Sequence, residues 1–128
     1  MKNYFLLLFI GVTFLNCSND DDNTQQSQLA GTWNWVESSG GIDGRTETPN
    51  STGNSMKIEI TNNSIKRYLN ENLESELNYS TEFEEYNGEQ WLKVTYENGQ
   101  EQHADLNVDY LILYERCSDC FQYEYVRD

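Results

Sequence analysis

Cys117-Ser118-Asp119-Cys120 is the stretch of this chain with the clearest local chemistry: two thiols at redox-motif spacing, with turn-forming residues between them. A pair at this spacing reacts as a dithiol when it sits at a helix N-terminus beside a βαβ unit. Here it falls between two strand-like stretches. A four-residue turn brings its end Cα atoms within about 7 Å, close to disulfide distance. In an exported protein oxidation is expected. The first expectation is therefore a disulfide between Cys117 and Cys120 that pins the last hairpin. Two free thiols come second. Half of a zinc site comes last, because His103 is the single histidine and a tetrahedral site needs four ligands. No metal site is expected.

Other chemistry is sparse. With one histidine no nucleophile–base pair is legible, and the chain holds no phosphate loop, no G-x-S-x-G and no H-E-x-x-H. His103, in EQHADLN, reads as a surface residue of a strand. Glu84-Glu85 and Glu71/Glu74 could pair as carboxylates, yet 22 acidic side chains make chance pairs inevitable. The expectation is a protein that is not an enzyme and carries no cofactor.

The third cysteine, Cys17, concerns address. Met1-Lys2-Asn3 is a short, positively charged start, and Tyr4 to Leu15 (YFLLLFIGVTFL) is an apolar run. A transmembrane helix needs about 20 apolar residues, so this run is too short to span and suits the apolar region of a secretory signal peptide. Cys17 stands where cleavage would occur, and Ser18 to Gln28 (SNDDDNTQQSQ) contains no large apolar residue, as a disordered tether would.

Charge narrows the partners. With 8 basic against 22 acidic residues the net charge is −14, the reverse of what phosphate recognition needs, so no nucleic-acid partner is expected. An anionic membrane surface docked by basic residues is disfavoured for the same reason. The excess reads as a solvated, self-repelling surface. No D-x-[DN]-x-[DN]-G calcium loop is present.

The elements that must position these residues are strands. From Leu29 onward the chain alternates in twos. AGTWNWV puts Trp33 and Trp35 on one face, and SMKIEIT puts Met56, Ile58 and Ile60 opposite Lys57, Glu59 and Thr61. IKRYL resumes after a turn at Asn62 to Ser64, and ELNYSTEFEEY groups Leu77, Tyr79, Thr81 and Phe83. Asn87-Gly88 and Asn98-Gly99 are hairpin signals around WLKVTYENGQ, and EQHADLNV, DYLILYER and FQYEYVR complete eight segments. The expected fold is all-β, a small eight-stranded antiparallel up-and-down barrel. Glu37 to Asn54, rich in glycine and holding the only proline, reads as a long mobile loop covering one mouth or as a simple connection. No helix of useful length is expected. NLESELNY, which could pass for one, continues the strand alternation.

Two resemblances extend this reading. The arrangement around Cys17 resembles a bacterial lipoprotein signal, with Phe14 and Asn16 where such boxes commonly place a leucine and a small residue, as in the looser boxes of the Bacteroidetes. Ser18-Asn19-Asp20-Asp21-Asp22 is similar to the acidic export signal that sends lipoproteins of that phylum to the outer face of the outer membrane. That resemblance implies a signal peptide at 1–16, acylation of Cys17, a polar tether at 17–28 and an outer-membrane, lipid-anchored, surface-exposed protein. Each buried methylene contributes about 0.8 kcal/mol, and stable anchoring takes more than one acyl chain.

The second resemblance is in the domain, residues 29–128. Gly31-Thr32-Trp33 matches the Gly-x-Trp signature of the first lipocalin strand, and YVRD resembles the lipocalin close, in which a basic residue of the last strand crosses that tryptophan. The domain is shorter than a typical lipocalin and looks like the small lipocalin-like domains of Bacteroidetes lipoproteins. It implies that Arg127 lies against Trp33. Parity agrees, since Arg127 shares a face with Phe121, Tyr123 and Tyr125, and an arginine on an aromatic inner face needs a partner. The functional expectation is a barrel that takes a small amphipathic ligand, with Trp35, Met56, Ile58, Tyr79, Phe83, Tyr123 and Tyr125 as candidate wall residues. The alternative is a non-catalytic structural or protein-interaction barrel with a filled core. An interior void of a few hundred Å³ would favour the first.

Overall fold

A ladder that returns to its own first strand organises the chain. The computed structural model describes residues 21–128, with side chains from Gln25 onward. The signal peptide expected at 1–16 and the lipidation site expected at Cys17 lie outside the described residues. A helix, α1 (Asp21–Leu29), precedes β1 (Gly31–Gly40), β2 (Arg45–Glu47), a single helical turn α2 (Pro49–Thr52), β3 (Met56–Ile60), β4 (Ser64–Leu69) and β5 (Asn72–Tyr86). β6 (Glu89–Tyr96), β7 (Glu101–Leu106), β8 (Tyr110–Glu115) and β9 (Gln122–Arg127) follow. From β3 onward each strand pairs antiparallel with the next, and β1 pairs with both β3 and β9. The protein is an eight-stranded antiparallel up-and-down barrel, with β2 as a short ninth strand folded back on the end of β1.

Period-two alternation builds the wall. Trp33 and Trp35 on β1, Ile58 and Ile60 on β3, Leu92, Val94 and Tyr96 on β6, Leu111 and Leu113 on β8, and Tyr125 on β9 are all buried. Each large apolar side chain moved from water into this interior contributes about 1.5–3 kcal/mol. Neighbouring strands bring inward residues face to face, as in Trp35↔Tyr125, Ile60↔Ile65 and Phe83↔Leu92. At the β5–β6 hairpin Asn87 and Gly88 have φ of 54° and 80°, the positive pair that a two-residue turn of matching twist requires.

Two departures from strict alternation matter. The β1–β9 register shifts between Trp35 and Glu37, so Val36 is an extra residue. This bulge flips the following side chains. Ser38 consequently faces inward at 2% exposure, where its Oγ accepts a 2.8 Å hydrogen bond from Trp35 Nε1. β5, the longest strand, uses its first half (72–78) to pair with β4 and its second half (79–86) to pair with β6. β4 and β6 therefore pair with different stretches of β5.

The structure corrects two expectations. The tether expected through Gln28 includes helix α1 in its C-terminal part, and a useful helix therefore exists. It is held by its end, not by an apolar face: Leu29 is buried at 2% exposure, and Gln26 Nε2 donates to the Asn62 carbonyl at 3.0 Å. The loop expected over Glu37 to Asn54 is largely ordered, because β1 runs on to Gly40 and β2 pairs with it. Thr48 then caps α2, its Oγ1 accepting from Ser51 N while Ser51 Oγ accepts from Thr48 N, with Pro49 opening the turn and Gly53 (φ 72°) closing it.

Candidate functional site

The two ends of the barrel differ. At the end where β1 begins, α1 packs against β5 and β7 and the base is tied shut. The last carbonyls of a helix have no intrahelical donor. Here Trp33 Nε1 donates to Leu29 O at 2.9 Å, Arg127 Nη2 to Gln28 O at 2.7 Å and Arg127 Nη1 to Ala30 O at 3.1 Å. Arg127 Nε also donates to Val108 O at 2.8 Å, and its guanidinium lies 4.0 Å from the Trp33 ring centroid. Gly31 makes room for this crossing: with φ of 147° and no Cβ, it leaves Arg127 Nη1 a place that any other residue would contest.

The opposite end is open. A cavity of about 670 Å³ is lined by residues of all strands from β3 to β9, Lys57, Tyr68 and Glu101 of the outer face among them, and by the β6–β7 and β8–β9 turns. Met56 and Ile58 supply its apolar side, and Arg67, Tyr96, Gln102, Tyr123 and Tyr125 its polar side. Arg67 sits opposite Ile58 in the β3–β4 ladder and so points inward. Its Nη2 donates to Tyr96 Oη at 2.9 Å and to Gln102 Oε1 at 3.3 Å, and Tyr96 Oη also hydrogen-bonds Gln102 Oε1. Burial pushes the Tyr125 phenol up to about 12, against the opposing charge of Arg67. Burial likewise raises Tyr96 and Tyr123, so these hydroxyls stay protonated, that of Tyr96 donating to Gln102 Oε1.

The rim is braced by the β8–β9 turn. Cys117 and Cys120 form a disulfide with Cα atoms 5.2 Å apart. Gly40 (φ 144°) lets this turn press against the end of β1, because an added Cβ would collide with the Cys120 carbonyl. Phe121 packs on Tyr123 at 6.3 Å between ring centroids and receives Arg45 of β2 over its face at 5.3 Å.

The seven candidate wall residues divide. Met56, Ile58, Tyr123 and Tyr125 meet at the cavity. Trp35 is on the inner face but buried in the core, its indole N–H committed to Ser38. Tyr79 is turned away, donating to Thr61 O at 2.7 Å. Phe83 belongs to a smaller hollow at the closed end, beside Gln25 and Leu106. Arg67, Tyr96 and Gln102 were missed. The signal for Arg67 was present, since in IKRYL it shares parity with Ile65 and Leu69, as Arg127 does with Tyr123 and Tyr125.

His103 also needs correction. It lies on the outer face of β7 but is only 6% exposed, stacked on Trp91 at 5.6 Å and near Tyr86 at 5.4 Å. Its Nε2 is 2.8 Å from Glu84 Oε2, and this hydrogen bond, aided by Arg116 and Lys93, holds the Glu84 carboxyl below the usual range. Arg116 and Lys93 also bridge to Glu101, so the outer acids here are partly neutralised. Among the described residues no group of three or more His, Cys, Asp or Glu is arranged to hold a metal ion, and no helix is long and apolar enough to cross a membrane.

No protein-family model matches the chain, and no curated protein matches it. Among solved structures the chain is similar to a fluorescence-activating β-barrel designed de novo, at 14% identity and a TM-score of 0.40, over 80% of this chain and 96% of that one.

Proposed function

We propose that this protein is a lipid-anchored cell-surface lipoprotein of lipocalin-like build that takes a small, partly apolar molecule into the open end of its barrel. The observation that carries the reading is the 670 Å³ cavity, apolar at Met56 and Ile58 and ringed by phenols. Small-molecule sites span about 300–1,000 Å³ and combine an apolar wall with a few placed polar groups. Mass spectrometry of compounds that co-purify with the native protein tests the reading. A stoichiometric small molecule released on denaturation is expected, and repeated isolation with nothing bound counts against a carrier.

The anchor rests on the lipoprotein-like sequence around Cys17. Cys17→Ser is expected to abolish acyl labelling and to release the protein from membranes into the soluble fraction. Continued lipid labelling of that variant would remove the anchor from the proposal and leave the cavity untouched.

A further inference from the structure

Two arginines among the described residues have no carboxylate within ion-pair distance, and they differ in kind. Arg127 is saturated: three carbonyls take its Nε, Nη1 and Nη2, and an indole covers its face. Arg67 is held by neutral side chains alone: its Nη2 donates to Tyr96 Oη and Gln102 Oε1, and Tyr125 also hydrogen-bonds the guanidinium. It stands on the inner face of β4 between Ile65 and Leu69, its carbon 5.4 Å from the Tyr96 ring centroid. Tyr96 and Gln102 already bond each other, so neither needs Arg67 for its own satisfaction.

A cation on an apolar wall is unfavourable unless something compensates it. In this barrel Arg67 has neutral hydrogen-bond partners but no carboxylate at ion-pair distance, and it lines the cavity. The geometry points to an anionic headgroup as that missing partner: the ligand is an amphipathic carboxylate, its acid group seated on Arg67, Tyr96 and Gln102 and its apolar body along Met56 and Ile58. Planar, forked N–H donors suit a carboxylate in particular. The inference rests on the carrier reading above and names the class of its ligand. Glu74 and Glu115 line the same cavity while Glu101 is engaged by Lys93 and Arg116, which disfavours polyanions and admits a singly charged head on an apolar stem.

Isothermal titration of the full chain with decanoate, decanol and decylamine tests this. Decanoate is expected to bind at least about tenfold more tightly than decanol, with decylamine weakest, since a charge-assisted hydrogen bond separates them. Arg67→Met should weaken decanoate about ten- to a hundredfold and bring it to the level of decanol, whose own affinity changes little. Arg67→Lys, which keeps the charge but loses the fork, should fall between and serves if the methionine variant does not fold. Equal affinities for decanoate and decanol, or decanoate binding that ignores both substitutions, would overturn the headgroup and leave the carrier standing. Failure of the wild-type chain to take up any of the three would overturn both.

Discussion

Trp33→Ala is expected to remove about 3–5 kcal/mol of folding stability, read as a fall in the urea midpoint at unchanged slope. Trp33 has no exposed surface. Truncating it opens a cavity in the core, takes the indole donor from Leu29 O and strips the aromatic face from the Arg127 guanidinium. The loss therefore extends beyond the barrel to the seat of α1. Against a total stability of about 5–15 kcal/mol this brings the domain near its limit. Trp33→Phe, which keeps a ring but loses the N–H, should cost less, about 1–3 kcal/mol. Arg127→Met should cost markedly less in the Trp33→Ala background than alone, because the two side chains share one set of partners. Strict additivity, or a loss below about 1 kcal/mol for Trp33→Ala, would mean that the base of the barrel is not held by this crossing.

The second large effect is an alkaline one. Tyr125 is 2% exposed, and burial raises its phenol from 10.0 to about 12. Tyr79, Tyr96, Tyr114 and Tyr123 are raised by burial as well. A phenol raised in the folded chain keeps its proton after the unfolded chain has lost it. Its stabilisation is complete below pH 10 and falls as pH climbs toward the folded value. For Tyr125 the slope is about 1.4 kcal/mol per pH unit, or roughly 2–3 kcal/mol across the window from 10 to about 12. Melting temperature is therefore expected to drop steeply over that window, with phenolate absorbance appearing together with unfolding. Tyr125→Phe should flatten the drop. Phenolate forming smoothly near pH 10 in a chain that stays folded would show the interior phenols to be solvated and the cavity wet throughout.

Much of the barrel was legible because burial in a closed sheet enforces a period of two, and each of eight segments carried it. Parity put Arg127 on the inner face, where its guanidinium meets Trp33. The rest escaped for particular reasons. The Val36 bulge changes parity within one strand, and nothing in WNWVESS announces it, so Ser38 could not be placed inward. The order in the 41–55 segment comes from a Thr48–Ser51 capping pair in which serine stands where a glutamate is usual. Helix α1 has almost no apolar residues to signal it, and part of what holds it is the Arg127 side chain, about a hundred positions away in sequence. Arg67 was overlooked because no inward face was assigned within IKRYL, where it shares parity with Ile65 and Leu69.

The closed base also has a directional consequence. Cys17 precedes α1 by four positions, and α1 seals the end of the barrel opposite the cavity. A chain held at Cys17 would stand with its sealed floor toward the bilayer and its aperture toward the surroundings. Cargo would then arrive from, and depart into, the medium without crossing the lipid headgroups, and membrane attachment would leave the aperture unobstructed.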